Sequence, residues 1–450
     1  MVLKKELKMD KKRKFKIACS CVITICLSTV FLRYLTDLME LKISDTKFAP
    51  FLEQDEDFDV LFMGSSHVNY SIYPMELWND FGIVSYNMAA DGAQIPTSYW
   101  VIENALEQTT PKLVVVDCYN LRMNVKSAGG LAYVHNSYDA MPLNITKLKA
   151  VWDQLDDPEA YERQPGEEAN VPRKRMELIW NYSIYHARWN ELSKNDFVVP
   201  RNRGKGATLR VAVAAPDDFE KISSENKWEG EPEATVYLRK MIEDCQNRGI
   251  EIMLIYVPFP AEEAFQKEAN RVYDIADEYG VDYLNFLDMD IVDYNTDCLD
   301  SNSHLNVSGG QKITEYLGQY IVEHYNIPDQ RNNPAYDSWY EDYRGWTEEK
   351  INFLKSTESL DVYLMLLADR HFEAEIEINN PAIREDEYYA RLLKNAHLDG
   401  ENYETAVETG DDSEEEDTPD VCITVKDPAI GEIIDYAEFH SGIKIDNSEE

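Results

Sequence analysis

Five short runs rich in apolar residues, Asp59–Met63, Gly82–Asn87, Lys112–Asp117, Ile250–Val257 and Val281–Phe286, punctuate this chain and most constrain its fold. They lack the polar alternation of a sheet with one wet face. Near-continuous apolar strands belong to parallel sheets covered on both sides. Helical spacing fills the intervals: Pro74–Phe81, Ile95–Leu106, the set Leu238, Met241, Ile242 and Cys245 before Gly249, and the set Val272, Ile275, Ala276 and Tyr279 before Gly280. The last helix begins at Ser308-Gly-Gly-Gln311, which has capping-box form, and carries Ile313, Tyr316, Leu317, Tyr320 and Ile321 on one face. The pattern predicts an α/β fold: a three-layer α/β/α, flavodoxin-like parallel sheet.

Two regions break the rhythm. Residues 125–230 read as a helical insertion or lid, with one aromatic segment from Trp180 to Trp189. There His186, Arg188 and Trp189 are candidates to line an acceptor groove; an aromatic helix face packed on the sheet is the equal alternative. Residues 330–450 read as a small acidic accessory domain. It contains a unit at Val362–Ala368 and Glu373–Ile378, and a hairpin of Val421–Lys426 with Glu432–Phe439. The stretch Glu401–Asp420, with ten acidic residues and no basic one, reads as a solvated loop.

Charge sorts the partners. A net charge of −40 excludes a general nucleic-acid surface, because phosphate contacts need clustered Lys and Arg. The acidity reads as a solvated surface, and no spaced calcium loop is present. Residues 1–16 run against this balance, with eight Lys and Arg against Glu6 and Asp10, and Ile17–Leu32 follows without a charge. As a helix this run spans about 24 Å, which Lys16 and Arg33 extend by snorkelling. No small-residue cleavage site follows. It therefore reads as an uncleaved transmembrane anchor over 17–35, with the amino terminus cytoplasmic and the remainder outside.

The seven cysteines form neither a disulfide scaffold nor a zinc pattern, and no metal or cofactor is expected. Asn-x-Ser/Thr sequons fall at Asn69, Asn144, Asn181 and Asn306. Glycans at Asn69 and Asn306 would flank the chemistry described next, which favours a bacterial surface over a eukaryotic secretory route.

The first apolar run ends in Gly64-Ser65-Ser66-His67, where glycine lets the chain turn sharply and present a serine. Asp300-Ser-Asn-Ser-His304-Leu-Asn306 lies in the loop entering the last helix. A serine hydroxyl needs a base to take its proton and a third group to orient that base. Ser66, His304 and Asp300 offer the set. Alone, the first string reads first as a plain strand-to-helix turn with Ser65 or Ser66 capping the helix, and the pairing with the second string reverses that preference.

Together the strings resemble the SGNH/GDSL hydrolase superfamily over residues 55–325, in particular its membrane-anchored extracytoplasmic branch related to alginate O-acetylation and D-alanyl transfer. The resemblance implies Ser66 as nucleophile, His304 as base and Asp300 as its partner, with Asn306 and Gly309 completing the last block. Asp300 stands one residue further from the histidine than is usual. The family's Gly-x-Asn-Asp block is missing; Asp117-Cys-Tyr-Asn120 stands in its place, leaving Asn120 as a candidate oxyanion donor, and Gly92 as the other. His67 reads as a pocket wall. The implied function is a membrane-anchored serine esterase or O-acyltransferase acting on a cell-surface glycan or related polymer, with a membrane-bound O-acyltransferase as partner. The alternative is a catalytically weak, anchored polymer-binding or scaffold protein.

Overall fold

The computed structural model describes residues 11–39, 47–52, 57–124, 126, 130–156, 170–197, 202–214, 221, 224–301, 303–399 and 418–445. The expected basic start at residues 1–10 and most of the expected acidic loop, 401–417, lie outside them. The chain divides into two compact units, 1–43 with 168–200, and 44–167 with 201–450.

The first unit opens on α1 (Lys11–Met39), whose most apolar 18-residue window has a mean hydropathy of 2.1 with none of it buried. By length and composition this helix is long and apolar enough to cross a membrane.

The second unit opens on α2 (Phe48–Leu52) and reaches β1 (Val60–Met63), buried at every position. After it come α3 (Ser66–Ser71), α4 (Pro74–Phe81), β2 (Ser85–Asn87), α5 (Ile95–Ala105) and β3 (Leu113–Asp117). β2 and β3 flank β1 in parallel: Leu61 faces Tyr86 on one side and Val114 on the other. Next, α6 (Ala132–Tyr138) and α7 (Ile145–Gln154) pack on α5.

At this point the expected insertion splits. α8 (Val171–Ile179) and α9 (Tyr182–Tyr185) belong to the first unit, where α9 contacts α1. Residues 125–230 are therefore divided between two units rather than forming one lid.

α10 (Glu233–Asn247), β4 (Glu251–Tyr256), α11 (Glu263–Tyr279) and β5 (Asp282–Asn285) complete a five-stranded parallel sheet of order β2-β1-β3-β4-β5. This is a doubly wound order, and its reversal lies between β1 and β3, where such sheets bind ligands at the carboxyl ends of the strands. β1, β2 and β3 are buried throughout, as a sheet covered on both faces requires. α12 (Val307–His324) follows; its cap is Asn306, whose side chain accepts from the Gly309 N–H, so the helix starts before the Ser308 box expected from the sequence.

α13 (Asp337–Ser356) and α14 (Leu360–Leu366) lead into β6 (Glu373–Ile378), α15 (Pro381–Glu385) and α16 (Glu387–Asn395). β7 (Val421–Lys426), β8 (Ile433–His440) and β9 (Ile443–Lys444) complete an antiparallel sheet of order β6-β7-β8-β9. The expected hairpin forms between β7 and β8. Val421, Ile423 and Val425 are buried while Cys422, Thr424 and Lys426 are half-buried, the alternation of a one-sided sheet. Although the sequence sets this region apart, it shares one compact unit with the parallel sheet. Trp346 Nε1 on α13 donates to Glu76 on α4 at 2.8 Å, and Lys205 pairs with Asp342 at 2.8 Å.

Candidate active site

β1 delivers the serine. A Cβ at Gly64 would stand 2.6 Å from Val68 Cγ2 and 3.0 Å from Asp117 Cβ, so only glycine lets the strand turn this tightly into α3. Ser65 occupies the N-cap and accepts weakly from the His67 N–H, which leaves Ser66 as the first helical residue with its hydroxyl outside the cap. Ser65 is the serine that caps, and Ser66 faces His304.

The histidine arrives on a loop braced at its base. Cys298 and Leu305 form an antiparallel bridge, and Leu299 N–H donates to the His304 carbonyl at 2.9 Å. Asn306, fully buried, secures this base: its Nδ2 donates to the carbonyls of Ala212, Thr296 and Cys298 at 2.9–3.2 Å while its Oδ1 caps α12. α12 in turn packs on α3, with Thr314 Oγ1 donating to the Ser71 carbonyl at 3.0 Å and accepting from Tyr73 N–H at 3.1 Å. Two strings 238 residues apart thereby meet.

Ser66 Oγ lies 2.8 Å from His304 Nε2, and His304 Nδ1 lies 2.6 Å from Asp300 Oδ2. An ionised carboxylate only accepts, so the ring proton sits on Nδ1 and the Nε2 lone pair faces the serine hydroxyl. This is the tautomer a base needs. The extra residue in the Asp–His spacing is absorbed by the loop. Asp300 Oδ1 accepts from the N–H groups of Ser303 (2.7 Å) and His304 (3.1 Å), and Ser303 Oγ stands 2.9 Å from His304 Nδ1 and 3.1 Å from Asp300 Oδ1.

His67 is a wall, not a second base. Its ring is 4.0 Å from Tyr119, 4.8 Å from Phe259 and 5.3 Å from His304. Burial, followed by the charge His304 can carry, pushes its pKa down to about 3, so it stays neutral. Its Nδ1 has no hydrogen-bond partner among the described residues.

The oxyanion candidates occupy the loops leaving the two strands beside β1. Gly92, at φ 71°, follows β2 on a loop tied to β1 and the Ser66 turn by Met88 N–H to Phe62 O (2.9 Å) and Ala90 N–H to Gly64 O (3.2 Å). Asn120 follows β3 with φ 67°, a left-handed conformation uncommon outside glycine and enriched at functional sites. His186, Arg188 and Trp189 belong to the first unit. Arg188 is engaged there, donating to the Met39 carbonyl at 2.6 Å and to Asp196 at 3.0 Å, rather than being held out for an acceptor.

Sequence reasoning missed several neighbours. Tyr70 follows Ser66 by four residues, a spacing that places both on one helix face, and its ring lies 5.3 Å from His304. Arg210 covers that ring at 4.5 Å and donates to the Tyr70 hydroxyl at 3.0 Å, while Asp91 accepts from Tyr70 and, at 3.0 Å, from Asn69. No pattern in the sequence announces Arg210. Beneath the wall, burial raises the Asp117 carboxyl to about 7 and that of Glu268 to about 7. Asn69 and Asn306 are both fully buried, which leaves their sequons no room for a glycan in the folded chain.

No family model matches the chain, and no curated protein matches it.

Proposed function

We propose that the chain is a membrane-anchored, extracytoplasmic serine esterase or O-acyltransferase of SGNH type, acting on acyl esters of a cell-surface glycan or related polymer. The observation that carries this reading is the continuous relay from Ser66 Oγ through both nitrogens of His304 to Asp300, at 2.8 and 2.6 Å. Its place at the carboxyl end of β1, beside the reversal of strand order, adds support.

His304 Nε2 takes the Ser66 proton as Oγ attacks the acyl carbonyl, and Asp300 steadies the imidazolium. N–H groups of the Gly92 and Asn120 loops would stabilise the oxyanion. The leaving alcohol departs with the proton from His304, which leaves an acyl-Ser66 ester. Water or a sugar hydroxyl then gives a proton to His304, attacks that ester and frees Ser66. In the transfer reading the acyl group is handed across the bilayer by a membrane-bound O-acyltransferase. The excess of Lys and Arg over residues 1–16 supports an amino terminus in the cytoplasm and a site outside.

The test is covalent labelling of the full chain by a fluorophosphonate. Labelling abolished by Ser66→Ala supports the enzyme; labelling that survives the substitution overturns the relay. Polymer binding without labelling would favour the scaffold reading.

A further inference from the structure

Residues 170–197, in one compact unit with α1, run against the acidic balance of the chain, as residues 1–16 do. Residues 170–197 carry Arg173, Lys174, Arg175, Arg188 and Lys194 against Glu177, Glu191 and Asp196, a net +2 in a chain of net −40. They also expose large apolar side chains: Met176 is 52%, Trp180 38%, Ile184 39%, Trp189 52% and Phe197 62% accessible. Isolated exposed hydrophobics need no explanation, but a cluster interleaved with cations marks an interaction surface.

The attachment points fix its level along α1. Trp180 Nε1 donates to Thr36 Oγ1 at 3.1 Å, and Arg188 Nη1 donates to the Met39 carbonyl at 2.6 Å. Leu32 ends the uncharged run. With the run of about 24 Å centred in a hydrocarbon core of about 30 Å, about 3 Å of core remains beyond Leu32, which puts Thr36 about 3 Å and Met39 about 7 Å outside the core. A bilayer's polar layer is only about 5–8 Å deep on each side of the hydrocarbon. If α1 spans a bilayer, the aromatic and basic segment is pinned at the depth where Trp and Tyr gather and where Lys and Arg meet anionic headgroups.

We propose that residues 170–197 form an interfacial foot that lies in the headgroup layer of an anionic bilayer where α1 emerges. This rests on α1 being a membrane span and is independent of the chemistry at Ser66. The foot gives the exposed His186 and Trp189 an interfacial setting in place of an acceptor groove, while Arg188 fastens the segment to α1 through the Met39 carbonyl.

The full chain, reconstituted in phosphatidylcholine–phosphatidylglycerol nanodiscs with acyl chains brominated close to the headgroup, should show tryptophan quenching. Most of that quenching should vanish in Trp180→Phe/Trp189→Phe. Trp189→Phe alone, which breaks no hydrogen bond to α1, should remove part of it, so a folding defect cannot account for the result. Quenching unchanged in both variants overturns the foot. Alkaline carbonate separates the two layers of the argument. Release of the chain from vesicles removes the span and the foot together, whereas retention with unchanged quenching removes the foot alone.

Discussion

Two imidazole–carboxylate pairs in the second unit have the same 2.6 Å separation and opposite characters. His304 with Asp300 is the open one: their side chains are 22% and 39% exposed, and the second ring nitrogen meets a serine hydroxyl. His371 with Asp369 is the charge-balanced one, although His371 is 18% exposed. Asp369 is 4% exposed, Lys350 bridges it to Glu76 at 2.6 and 2.7 Å, Gln311 donates to it at 2.6 Å, and the Tyr343 hydroxyl meets His371 Nε2. Glu76, Asp369 and His371 are grouped closely enough to hold a cation, but the Lys350 ammonium already sits against both carboxylates. Geometry between histidine and carboxylate thus decides little. What separates a reactive pair from a structural one is whether the surrounding charges are already balanced and whether a substrate can reach the second nitrogen.

Ser66→Ala attacks the open pair and has the largest expected effect. Acyl-ester turnover should fall at least about 10⁴-fold with the melting temperature nearly unchanged; a large loss of stability would mean the open pair is structural after all. Lys350→Met attacks the charge-balanced pair. Removing the cation strands two buried carboxylates and should cost about 3–5 kcal/mol, read by denaturant unfolding, while turnover per folded molecule persists. Asp369 sharpens the sign: despite burial, Lys350 and His371 hold its carboxyl well below the usual range, so the stability it contributes is present above the unfolded pKa and is lost as pH falls.

Asp117 supplies the converse. It is as buried as Asp369, at 3%, yet has no ion pair among the described residues, and burial raises its carboxyl to about 7. A raised carboxyl contributes stability below its unfolded pKa and loses it as pH climbs through the folded value. Asp117→Asn, which keeps an acceptor for the Val257 N–H, should flatten the decline in melting temperature between pH 5 and 8 by an amount worth of order 2 kcal/mol. An unchanged slope would place the titration elsewhere. The smallest effect belongs to Ser303→Ala. Losing one hydrogen bond of about 0.5–1.5 kcal/mol at Nδ1 should lower kcat/KM roughly 2- to 10-fold, with Ser303→Thr restoring it.

Much of this was legible in the residues. Strands buried on both faces are legible because their central positions are all apolar, with polar residues only at the ends (Asp117 in β3, Glu251 in β4), so β1, β3 and β4 stand where their runs predict, with ends within a residue. β2 is shorter than its run because Gly82 caps α4 and the sheet begins only at Ser85. The serine and histidine were legible because each sits beside a helix start with local signals. Contacts made by tertiary packing left no trace: Arg210 over Tyr70, or the Lys350 cluster, whose members come from α4, α13 and the turn after α14. The split of the insertion was equally hidden, since it depends on which surface α8 and α9 meet rather than on their own periodicity.

Asn306 has one consequence beyond architecture. Because a single side chain closes the first turn of α12 and grips the base of the His304 loop, fraying of that turn unseats the base while the sheet stays intact. Under the proposed chemistry, turnover would then act as a local thermometer. On heating, activity should fade before the global transition, and the gap between the two temperatures measures how firmly one asparagine holds its helix.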